Sequence, residues 1–189
     1  MAQDKGLIDA VKQGVVGAIQ GAGDVASAIV EAISKTVATS VEGLGTIAGS
    51  LVEALSDVAK GTVHAVASVG GDVGAAVKGL LLGVLRGTKK AGGATLDTIG
   101  HTAGAAIHAT AEVTGDLGAA AKGLVEGAIE GAKELGLDVT QAASAAANGA
   151  LKAAEEIGTT AGETVRKALT GTISGVKVIL REPFKKKAA

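Results

Sequence analysis

The chain has 189 residues, of which 30 are glycine, 1 is proline and none is cysteine. Hydrophobic residues make up 47% but aromatics only 1%, and the formal net charge is −1. The missing cysteine excludes disulfides, thiolate metal sites and a cysteine nucleophile. The apolar content and low net charge argue against a disordered chain, and the scarcity of bulky rings argues against an enzyme core with enclosed polar clefts.

From Met1 the sequence falls into rows of eleven without a gap, reaching Lys187 after seventeen rows. The eighth position of the rows is large and apolar in thirteen of the seventeen, from Ile8 and Ile19 to Phe184. Eleven residues in three turns is about 3.67 per turn, close to a relaxed α-helix. On such a helix the apolar positions form one arc and the charged positions another, with glycine and alanine between them. A strand period of two would scatter all three classes. The pattern predicts an all-α fold, an eleven-residue-repeat coiled coil or oligomeric helical bundle. A long N-terminal rod is followed by C-terminal helices broken at glycines.

Residues 1–69 carry the cleaner repeat and predict an uninterrupted rod or tube segment of about 100 Å at 1.5 Å per residue. Its oligomer seam is Ile8, Ile19, Val30, Ile33, Val41, Leu44, Val52, Leu55, Val63 and Val66. The stretch from Met1 to Asp9 has no signal-peptide pattern. No stretch reaches the roughly 18 uncharged apolar residues of a spanning helix. The expected location is the cytoplasm, peripheral to a membrane.

Over 70–176 glycine sets the organisation. Gly70-Gly71-Asp72-Val73-Gly74 recurs 44 residues later as Thr114-Gly115-Asp116-Leu117-Gly118 and fades at Gly158. Half-period marks fall at Gly92-Gly93 and Gly136. Glycine followed by aspartate reads as a helix stop and the next N-cap. Breaks are therefore predicted at Gly70, Gly71, Gly92, Gly93, Gly115, Gly136 and Gly158, separating helices of about 22 residues, or 33 Å. Gly79, Gly83 and Gly87 stand four apart on one face, as do Gly123, Gly127 and Gly131. Gly17 and Gly21, and Gly171 and Gly175, repeat the spacing. Each helical glycine costs about 1 kcal/mol against alanine. In exchange two backbones can approach closely. This half is expected to dock partner proteins. Pro183 is expected to end the last helix, leaving a basic tail over 177–189 with Lys177, Arg181, Lys185, Lys186 and Lys187.

Little chemistry is visible. His64, His101 and His108 lie on the charged arc, where solvated imidazole is the expectation and a third metal ligand is distant. Glycine-rich strings follow no strand, so no dinucleotide site is implied. Interspersed charge without stacking rings argues against nucleic acid. No catalytic, cofactor-binding or metal residue is assigned. Two readings remain. The first is a self-associating stalk or scaffold, a tetramer or other homo-oligomer. Its pooled apolar arcs enclose a greasy interior for a quinone or lipid, and its C-terminal half docks other subunits. The second is an amphipathic coat on a membrane, lipid droplet or polymer granule. Such helices insert Phe or Trp, and here glycine and alanine flank the arc, which favours the stalk.

The whole chain resembles hendecad-repeat helical proteins, with Lys12-Gln13-Gly14-Val15-Val16 and Glu42-Gly43 similar to the repeats of synuclein-like and late-embryogenesis-abundant proteins. Its size and two-part layout also resemble the stalk subunit of bacterial hydrogen-scavenging nickel–iron uptake hydrogenases. That resemblance implies a membrane-associated tube over 1 to about 80, four copies, a scaffold for catalytic subunits and delivery of a quinone. It rests on layout and transfers no residue role.

Overall fold

A computed structural model describes residues 2–21, 25–44, 48–90 and 95–180. Among them the chain is all-α apart from one short hairpin. The helices are α1 (Ala2–Gly21), α2 (Val25–Leu44), α3 (Ala48–Ser68), α4 (Val73–Lys90), α5 (Leu96–Glu112), α6 (Leu117–Leu135), α7 (Val139–Ile157) and α8 (Thr159–Leu169). Strands β1 (Thr172–Ile173) and β2 (Val176–Lys177) pair antiparallel.

Each helix occupies about one 22-residue unit, and the core shows the same period. Val11, Ile33, Leu55, Val77, Ile99, Ala121, Ala143 and Val165 are spaced by 22, one per helix, and all are buried. So are Val15, Val37, Ala59, Leu81, Ala103, Val125, Ala147 and Leu169, four residues further on. Residues at i and i+4 share a helix face, so every helix places one such pair in the common core.

Helices pack mainly on their next-but-one neighbours: α1 on α3, α3 on α5, α5 on α7, and likewise α2 on α4 and α4 on α6. The odd helices form one layer and the even helices a second, laid against the first. Contacts within a layer ascend together, Val30 meeting Gly83 and Ser34 meeting Gly87, so neighbours in a layer run parallel. Repeats that touch only adjacent repeats are the mark of a solenoid.

The ends of the helices follow from local chemistry. Asp116 caps α6 by accepting from the backbone N of Gly118 and Ala119, and Asp138 caps α7 by accepting from Gln141 N. Asp72 Oδ1 accepts from Ala75 N at 3.1 Å, and Thr95 caps α5 through Thr98 N. Gly136 ends α6 in the left-handed region with φ 72°. Its counterparts 66 and 22 residues earlier are Gly70, with φ 69°, and Thr114, with φ 53°.

Two expectations differ from the structure. The rod over 1–69 is three helices, and α1 lies against α3. The 22-residue core pair supplies only one helix's worth of apolar stripe. Folding back buries successive stripes against each other, which a single straight rod leaves wet. The helix expected to continue toward Pro183 stops at Leu169. Gly171, Ser174 and Gly175 have φ of 108°, 49° and 79°, values a right-handed helix does not contain. The pair Ser174-Gly175 makes the positive-φ turn that suits a two-residue hairpin.

Candidate docking faces

Close approach within a layer is made by glycine. A Cβ placed at Gly61 would lie 2.9 Å from Ile8 O, at Gly83 3.0 Å from Val30 O, at Gly87 2.9 Å from Ser34 O and at Gly127 2.6 Å from Lys78 O. At Gly123 it would collide with Gly74 O, and at Gly149 with Gly100 O. Each of these glycines seats its helix on the backbone of the preceding helix of the same layer. Gly79 and Gly131 are buried too; Gly131 faces the Leu85 and Leu82 side chains.

Among the expected seam residues whose side chains are described, most fall inside the chain's own core. Val30, Ile33, Leu55, Val63 and Val66 are buried, while Ile8 and Val52 are partly buried. The side chains of Ile19, Val41 and Leu44 lie outside the described residues. The chain turns at Gly70, Gly71, Gly115, Gly136 and Gly158. Gly92 and Gly93 lie outside the described residues, as do Arg181, Lys185, Lys186 and Lys187. Lys177 is exposed on β2.

The outer faces carry charge in a regular pattern. His64 Nε2 meets Glu112 Oε2 at 3.1 Å, Arg86 Nη2 donates to Glu134 Oε1 at 2.7 Å, and His108 Nε2 meets Glu156 Oε2 at 3.3 Å. All three join residues 48 apart, and they start 22 apart. Lys78 pairs with Glu130 at 2.9 Å and Lys60 with Glu112 at 3.5 Å. Hydrogen bonding from His64, assisted by the Lys60 charge, holds the Glu112 carboxyl below its ordinary range. The Arg86 guanidinium does the same to Glu134, and the hydrogen bond to Glu130 raises Lys78. His64 and His108, expected as solvated imidazoles, each face a glutamate of the next helix in their layer. The signal that would have found the contacts is the shared 22-residue spacing of His64, Arg86 and His108 with Glu112, Glu134 and Glu156.

An open groove runs along each layer. The one on the even layer, about 1070 Å³, lies between α2 and α4 and is walled by Glu31, Lys35, Thr39, Lys78, Arg86 and Lys89. The one on the odd layer, about 820 Å³, has a floor of Gly100, Gly104, Gly149 and Ala153, with His101, His108, Lys152 and Glu156 on its walls. Among the described residues no set of three His, Asp or Glu is placed to hold a metal. None of the described helices is long and apolar enough to cross a membrane. The buried hydroxyls Thr62, Thr88, Thr102 and Thr110 donate to carbonyls one turn back. No buried side-chain polar atom among the described residues lacks a partner.

No protein-family model matches the chain, and no curated protein sequence matches it.

Proposed function

We propose that the protein is a non-enzymatic helical scaffold that holds other protein subunits against its two grooved layers, at a membrane surface and as a homo-oligomer. The observation that carries this reading is the shared register of the array. Glycine seats and charged contacts recur at fixed intervals and hold two long, open, mixed-charge faces in place. Solenoids present extended binding surfaces of this kind. Non-obligate interfaces are about as polar as ordinary surface, which suits grooves bordered by Lys35, Lys89, Glu31 and Gln141.

The coat reading needs an apolar arc free to enter lipid. Here Val11, Val15, Ile33, Val37, Leu55 and Leu81 are covered by other helices of the same chain, which supports the scaffold over the coat. A lipophilic carrier such as a quinone belongs to the proposal only in a space shared between copies, because the core within one chain is filled by its own side chains.

Detergent-free protein tests the reading. Circular dichroism should show a strongly helical molecule, unchanged on adding anionic vesicles, and light scattering should show a defined oligomer. Charge reversal at Lys35→Glu with Lys89→Glu should release a bound subunit from the even layer without altering helicity. A chain that is unfolded alone and gains helix only on vesicles overturns the scaffold.

A further inference from the structure

Within each layer a helix sits in a seat on its predecessor. On α5 that seat is Gly100 and Gly104, and α7 fills it with Gly149. The same positions on α7, 44 residues on, are Ser144 and Asn148. They hold no helix. They hold the segment after α8: Ile179 N donates to Ser144 Oγ at 3.2 Å, and Asn148 Nδ2 donates to Ile179 O at 3.0 Å. The segment is folded back on itself by the β1–β2 hairpin and by Val178 N donating to Gly171 O at 3.2 Å. Ile173 and Val178 are buried, with β1 on α6 and β2 on α7.

The complementary surface lies on α1. Gly17 stands 44 residues before Gly61 and 132 before Gly149, the two glycines that seat α3 and α7. Gly17 is exposed, and a Cβ there would meet nothing within 4 Å. Ala10 and Gly14 are exposed as well. Their counterparts Ala54 and Val58 on α3, Thr98 and Thr102 on α5, and Ala142 and Ala146 on α7 are all buried. One end of the odd layer therefore offers a plug and the other a seat of matching register.

We propose that residues 170–180 are a stop strap: they occupy the seat on α7 that would otherwise receive α1 of a second copy, and so prevent head-to-tail stacking of the array. A head-to-tail contact that does not close gives an open filament, and repeat arrays need their ends blocked to remain soluble. The strap is the blocking element on α7. Ser144 and Asn148 are the two positions of the seat where a small apolar contact has been exchanged for a polar latch. This goes beyond the scaffold reading, which is indifferent to how the array is terminated.

Sedimentation velocity over a concentration series tests it. The native chain should keep one mass. A chain lacking 172–180, or full-length I173D/V178D should the deletion fail to fold, should grow with concentration into a ladder of sizes at unchanged helicity. S144A/N148A should shift the same way to a smaller extent. Adding Gly17→Val to any of these should return it to the native mass, because the added side chain blocks the plug. A helical strapless chain that keeps the native mass overturns the proposal. So does growth that ignores Gly17→Val.

Discussion

Arg86 and Glu134 stand 48 residues apart in the chain and close a two-armed pair, with Nε at 2.8 Å from Oε2 and Nη2 at 2.7 Å from Oε1. The pair bridges α4 and α6 on the outer face of the even layer. Twenty-two residues to either side the odd layer repeats the contact, as His64–Glu112 and His108–Glu156. One geometric relation thus recurs in both layers. It follows from a single fact, that each 22-residue helix is offset from its layer neighbour by the same amount.

The carboxylates of these contacts predict an acid-sensitive fold. Glu112 and Glu134 are held below their ordinary values. A carboxyl lowered in the folded state contributes stability that is present above its unfolded value, about 4.3, and is lost as pH falls through the folded value. Both pairs are well exposed, so each is worth under about 1 kcal/mol. Melting temperatures of the native chain should fall as pH drops below about 4.3, and E112Q/E134Q should fall less steeply. Equal slopes would show that these pairs do not fasten the layers.

Thr114 offers a gain in stability. It has φ 53° at the position where the turns 44 residues before and 22 after use Gly70 and Gly136. A β-branched residue in the left-handed region is strained by about 1 kcal/mol or more. Thr114→Gly should therefore raise the melting temperature, although glycine usually destabilises. A lower melting temperature would mean that Thr114 is held without strain.

Glycine-to-alanine substitutions should split by position. Helix propensity favours alanine by about 1 kcal/mol, and at Gly14 nothing stands within 4 Å, so G14A should stabilise. At Gly127 the new Cβ would lie 2.6 Å from Lys78 O and 3.3 Å from Lys78 Cα. Backbone cannot rotate away, so α6 must lift off α4, and G127A should destabilise by about 1–3 kcal/mol. Urea denaturation of the two variants checks this. The same sign at both sites would show that helix seating does not depend on glycine.

Much of the architecture was legible in the sequence, and the remainder shows what a one-dimensional pattern lacks. Helix follows from the eleven-residue sorting of Val11, Ile33 and Leu55 onto one arc. The turn at Gly136 follows from glycine and then aspartate, because Asp138 has a short side chain that caps the next helix. The return of α1 onto α3 did not follow. Over 1–69 the apolar arc satisfies a rod and a folded-back arrangement equally, and only a contact such as that of Gly61 with Ile8, 53 residues earlier, tells them apart. The helix expected beyond Leu169 was mistaken because Gly171 and Gly175 share the four-residue spacing of the seating glycines. Their positive φ belongs to a hairpin instead. The role of His64 and His108 lay hidden because each gains its partner only once a helix has been skipped.

A deletion tests whether the unit is as interchangeable as the register implies. Removing 73–116 takes out α4 and α5 and joins Asp72 to Leu117. Gly127 and Gly131 then take the places of Gly83 and Gly87 on α2, and Glu156 takes the place of Glu112 beside His64. The shortened chain should melt cooperatively with the same helix content per residue, at a lower temperature because fewer repeats share the core. A disordered product would mean that α4 and α5 carry specific contacts beyond the repeat.

The most direct check on the stacked array is a distance between the residues of its central contact. The chain has no cysteine, so R86C/E134C accepts two spin labels and nothing else. Neighbouring helices of one layer have axes about 10 Å apart, so a stacked array gives a single short distance of that order plus the label arms. A continuous helix would separate the same residues by about 72 Å at 1.5 Å per residue, and a distance in that range would rule out the stacked array.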